Sequence, residues 1–117
     1  MSLRTVTAAA GAACSALVLL LTAPGAASAA TGQFRYTYTT DEGYDAVGFL
    51  RDPAGGRCVN LPTPAAGPGT VSRAPKNLTD STATVFLDAD CEGDAYYVLR
   101  PGAGASDRLL LRSVVFS

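Results

Sequence analysis

Thr84 to Leu99, TVFLDADCEGDAYYVL, limits the possible folds more than any other stretch. Alternating strand-forming residues run up to Leu87 and resume at Ala95. Between them lies an acidic turn holding a cysteine and a glycine. Such a segment buries an apolar face only by folding back on itself as antiparallel strands. Over Thr82–Asp88, period two puts Thr82, Thr84 and Phe86 on one face and Ala83, Val85 and Leu87 on the other. Over Ala95–Leu99 it separates Tyr96 and Val98 from Tyr97 and Leu99. The same period runs through Gln33–Thr39, where Phe34, Tyr36 and Tyr38 share a face. These rings form either one wall of a core or an exposed platform for stacking sugars; burial of large aromatics favours the core. No helical periodicity appears after residue 30, so the expected class is all-β.

Residues 1–29 read as a secretory leader. Arg4 is the only charge, Leu17–Leu21 is an apolar run, Pro24–Gly25 breaks it, and Ala27–Ser28–Ala29 is an A-x-A cleavage signal. The apolar run is too short for a membrane anchor. Cleavage falls after Ala29 or Ala30, and Cys14 leaves with the leader. The remaining chain makes one small domain, of a size that commonly needs a covalent staple. Cys58 and Cys91 are its only cysteines, and export places them where thiols oxidise, so a disulfide joins them. Nine basic against ten acidic residues give a net charge of −1 for the whole chain. That balance argues against nucleic acid and anionic membrane as partners.

Along the chain, Asp52–Gly56 reads as a turn, Arg57–Leu61 as a short strand and Pro62–Gly69 as an exposed Pro/Gly loop. Thr70–Ala74 reads as a short strand and Pro75–Ser81 as a connection, because proline cannot continue a ladder. Arg108–Phe116 reads as one closing strand. Asn77-Leu78-Thr79 is a glycosylation sequon, of no consequence in the high-GC bacterial source that the Ala-, Gly- and Arg-rich composition suggests.

Shifting the chain by 37 residues superposes Phe49-Leu50 on Phe86-Leu87, Gly56 on Gly93, Pro64 on Pro101 and Ala66-Gly67 on Ala103-Gly104. Repeats of this length mark duplicated supersecondary units. Phe86, Cys91, Gly93 and Ser113 fall where the βγ-crystallin family has an aromatic, a second aromatic, a glycine and a distant serine. Phe49, Ala54, Gly56 and Ser72 form a first copy. Neither Cys91 nor Ala54 is aromatic; at Cys91 the disulfide substitutes for ring packing. The chain thus resembles the βγ-crystallin superfamily over 47–117, and most closely its small secreted actinobacterial members, which include metalloprotease inhibitors and killer-toxin-like proteins.

The resemblance implies a compact antiparallel sandwich of two Greek-key motifs, 47–74 and 82–117, with residues 30–46 as an N-terminal strand and lead-in. It also implies a serine, Ser72 or Ser113, tying down each hairpin. It does not carry calcium binding over, because 67–72 (GPGTVS) and 108–113 (RLLLRS) lack carboxylates at the ligand positions. A separate acidic group, Asp88, Asp90, Glu92 and Asp94, is either a weak metal site or solvated charge at a hairpin tip. A DxDxDG-type loop needs a bidentate carboxylate at its twelfth position, here Leu99, which favours the second.

The chain has no histidine and only one lysine, Lys76, which excludes Ser-His-Asp, Cys-His and histidine-ligated metal chemistry. The expectation is a secreted, non-enzymatic module without a cofactor. Its partner is an extracellular protein or a cell-surface component. The alternative is a protease inhibitor presenting Leu61, Pro62, Thr63 and Pro64 at the head of the 61–69 loop, with 100–106 as a second candidate.

Overall fold

A computed structural model describes residues 29–117; the leader reading falls outside the described residues, apart from Ala29. The fold is all-β, with β1 Gly32–Thr39, β2 Asp45–Arg51, β3 Cys58–Asn60, β4 Ser72–Thr79, β5 Ala83–Phe86, β6 Tyr96–Leu99, β7 Leu110–Leu111 and β8 Ser113–Phe116. A 3-10 turn at Ala89–Cys91 interrupts them. Two four-stranded antiparallel sheets form, ordered β2-β1-β4-β7 (sheet A) and β3-β8-β5-β6 (sheet B).

β1 supplies most of the aromatic core. Phe34, Tyr36 and Tyr38 are buried while Arg35 and Thr39 are exposed, so the stripe of rings is core wall rather than stacking platform. Phe34 meets Phe116 of sheet B edge to face at 5.5 Å, an orientation favoured by the ring quadrupoles. Val85, Leu99, Leu111 and Val114 complete the interior. Gly48 is required on β2: a Cβ there would stand 2.3 Å from the Tyr36 ring.

The order of strands carries an internal symmetry. Reading sheet B from its other edge gives β6-β5-β8-β3, which is sheet A with each strand replaced by its counterpart four places along the chain. β1–β4 and β5–β8 are therefore the two like halves, and each sends its third strand into the other's sheet. This corrects the repeat derived from the 37-residue shift. β1 lies at the centre of sheet A, so residues 30–46 are integral rather than a lead-in. The copy expected over 47–74 has no hairpin at its head: β2 belongs to sheet A and β3 to sheet B, and residues 52–57 cross between them. Phe49 consequently faces outward, half exposed, and does not correspond to Phe86 of β5. Gly56 lies on the crossing with φ +73° and donates its N–H to Phe116 O.

Two other expectations fail for local reasons. Residues 75–79 are strand, not connection. The β1–β4 register shifts between Arg35 and Thr37, and Ala74 adopts φ +51°. Pro75 therefore sits in a bulge, where a missing N–H costs no ladder bond. Arg108–Phe116 is not one strand but two, in different sheets, divided at Arg112. The Arg112 backbone bonds Phe86 O and Leu61 N, and its guanidinium bonds Gly69 O and Leu87 O.

Candidate binding surface

Two features carry the residues singled out in the sequence, and the fold adds a third. The first is the turn between β5 and β6. Asp90 and Cys91 both adopt left-handed backbone, φ +61° and +54°, a conformation that costs non-glycine residues energy unless the surroundings hold it. Here they do. Ser113 Oγ donates to Asp88 O (2.6 Å) and accepts from Cys91 N (2.9 Å). Asn60 accepts from Asp90 N (2.7 Å) and donates to its carboxylate (2.9 Å). Cys91 is bonded to Cys58 of β3, with the Cα atoms 5.9 Å apart. Gly93 has φ +86°, and a Cβ there would meet Asp88 Oδ2 at 2.4 Å. Asp90 is thus spent on Asn60, and Asp88 lies against Gly93. Among the described residues no group of three acidic, cysteine or histidine side chains is placed to hold a metal ion. Ser72, the counterpart of Ser113, is also buried, but its Oγ has no hydrogen-bond partner among the described residues. The reason is loop length: Thr40 N bonds Tyr44 O directly, so the β1–β2 hairpin is too short to fold back over β4.

The second feature is the 61–69 loop. Leu61 is buried in the core. Tyr36 donates its hydroxyl to Pro62 O (2.5 Å) and Tyr38 donates to Pro64 O (2.9 Å). Asp41 ties the other end, its N–H to Ala65 O and its carboxylate to Gly67 N. The loop is rigid, with its carbonyls turned inward. The second loop candidate, 100–106, is laid along β4 as an irregular extension of sheet A, with Asn77 N bonded to Ala103 O and Ala105 N to Pro75 O. The sequon asparagine is no acceptor: Asn77 is fully buried, and its amide donates to Ser81 O and Leu99 O.

The third feature was not singled out from the sequence. β6 is an edge strand whose Tyr96, Tyr97 and Val98 are 61%, 53% and 50% exposed. Leu87 N bonds Ala95 O, and antiparallel alternation then turns Tyr97 and Leu99 toward β5. The N–H and C=O of Tyr96 and Val98 point outward from the sheet. Tyr96 lies 5.8 Å from the Phe86 ring on the outer face. Beside β6, between the two sheets, opens a groove of about 300 Å³ lined by Val85, Leu87, Tyr97, Leu109 and Leu110, with Arg108 the charged residue of its wall. The edge of a sheet bearing contiguous apolar residues is a template for another strand. The signal for it was present in the sequence at another spacing. Asp45-Ala-Val-Gly-Phe-Leu-Arg51 and Asp94-Ala-Tyr-Tyr-Val-Leu-Arg100 share D-A-x-x-x-L-R 49 residues apart. They are the second strands of the two halves, β2 and β6.

Comparison with protein-family models, curated proteins and solved structures returns no match.

Proposed function

We propose that the protein is a small secreted, non-enzymatic binding module of βγ-crystallin type, with two Greek-key motifs, that recruits an extended segment of an extracellular partner protein along β6. The observation that carries this reading is the β6 edge itself: outward-facing backbone groups at Tyr96 and Val98, half-exposed apolar side chains and an adjoining apolar groove. Added strands gain affinity from the main chain and specificity from pockets for alternate side chains, and this surface offers both. The family reading is supported by Ser113, whose two bonds to the folded turn match the role expected of the motif serine. Export is supported by the leader pattern, by the disulfide and by burial of Ala30, which cleavage after Ala29 retains.

The protease-inhibitor reading draws support from the rigidity of the 61–69 loop. An inhibitor of the substrate-like kind must also lend its backbone to the protease cleft. Here the carbonyls of Pro62, Pro64 and Ala65 are engaged from within, and Leu61 is core. These contacts favour the binding-module reading.

One experiment separates the two. The purified exported domain is incubated with secreted proteases at equimolar ratio and with cell-surface protein, and amide exchange is followed. Slowed exchange at Tyr96 and Val98 in a complex that leaves protease activity intact is the expected result. Stoichiometric inhibition abolished by cutting within 62–69 overturns it.

A further inference from the structure

Resting on that reading of β6, we propose that the strand it takes up is β6 of a second copy of the same chain. The charge pattern of the strand is what identifies the occupant. Asp94 precedes β6 and Arg100 follows it; both are exposed, and neither forms an ion pair among the described residues. Two copies related by a twofold axis at Tyr97 bring Tyr96 of one opposite Val98 of the other. These are the residues whose N–H and C=O face outward, so each opposed pair exchanges both hydrogen bonds. The same register sets Asp94 of each copy opposite Arg100 of the second, and cross-strand opposite charges stabilise a pair. Moving the axis by one residue still opposes outward-facing residues but parts Asp94 from Arg100, so the charges select this register. The resulting interface is isologous and closed, the usual geometry of a homodimer, and it joins the two copies of sheet B into one continuous sheet. Tyr96, already against Phe86, packs on Val98 of the second copy.

The sister strand β2 carries the same D-A-x-x-x-L-R pattern but is not equally available. Its Asp45 carboxylate is held by Arg73 at 2.7 Å within the molecule, which leaves Arg51 facing a neutralised partner in any β2–β2 pairing. β6 is the edge on which both charges are free to act.

A strand-to-strand contact of this length buries less than a standard interface, so association is expected over roughly 1 to 100 µM. The test is sedimentation velocity of the exported chain. Asp94→Arg alone and Arg100→Asp alone place like charges opposite each other twice per dimer, and each is expected to weaken self-association about tenfold. An equimolar mixture of the two variants restores opposite charges at both contacts and is expected to associate as the natural chain does. Val98→Pro removes an outward N–H without touching the bonds to β5, and is expected to abolish association while the far-ultraviolet dichroism of the monomer is retained. A natural chain that stays monomeric to about 1 mM, a dimer indifferent to Val98→Pro, or charge variants whose mixture does not recover, each overturns the proposal. A monomeric chain whose Tyr96 and Val98 amides are still protected by a different extracellular protein overturns this occupant and leaves the recognition role of β6 standing.

Discussion

Ser72 and Ser113 hold equivalent places in the two halves, and both are buried, yet their hydroxyls are in opposite states. Ser113 Oγ joins Asp88 O and Cys91 N, and its loss strands two backbone groups in a turn already held in left-handed conformation. Ser113→Ala is expected to cost about 2 kcal/mol. Ser72 Oγ meets no acceptor among the described residues, so Ser72→Ala removes a desolvated hydroxyl and is expected to be neutral or to stabilise by up to about 1 kcal/mol. Urea midpoints of the two variants measure this, and a similar loss in both would refute the asymmetry. The place of Ser113 was legible from its spacing to Phe86, whereas Ser72 was reached through a copy at Phe49 that the strand order does not bear out. Which of them works was not legible, because it depends on the length of a hairpin on a different strand.

The 61–69 loop and β1 are joined by tyrosine hydroxyls, and that joint is sensitive to alkali. Burial first, and the neighbouring Tyr38 second, push the Tyr36 pKa up from 10.0 to about 12. Folding therefore favours the protonated phenol. Its contribution is complete below pH 10, where the unfolded chain is protonated as well, and is lost as pH rises toward 12, where the unfolded chain has already ionised. Stability is expected to fall by up to roughly 2 kcal/mol across that window. Tyr36→Phe has a lower baseline, since Pro62 O loses its donor, but a flatter profile. Denaturation midpoints between pH 9 and 11.5 check the slope, and identical slopes for both chains would remove Tyr36 as the cause. The element itself was readable from three prolines and two glycines in 62–69; that its carbonyls turn inward was not, since the donors lie on a strand some 26 residues earlier.

At the scale of the whole molecule, the exchange of third strands makes the halves interdependent. Among the described residues β3 pairs only with β8, and β7 only with β4, while the disulfide ties β3 to the turn of the second half. Neither half closes a sheet alone. The chain is expected to unfold in one transition, and a fragment ending at Ser81 to show no sheet signal in circular dichroism, with structure regained only on mixing with residues 82–117. A folded fragment would show the halves to be separate units. The sequence alone determined the all-β class, the core face of β1, both faces of β5 and the pairing of the two cysteines, because period-two alternation and a count of two cysteines after residue 30 are local or compositional properties. It also held the repeat that the fold follows, D-A-x-x-x-L-R, at a spacing masked by the chance matches at 37 residues. Only the tertiary structure decided where the halves divide, that Pro75 lies within a strand, that the chain changes sheets at Arg112, and that β6 is an open edge. Those properties depend on which strand lies beside which, and neighbours in a sheet are chosen by packing across the whole core rather than by the residues of any one strand.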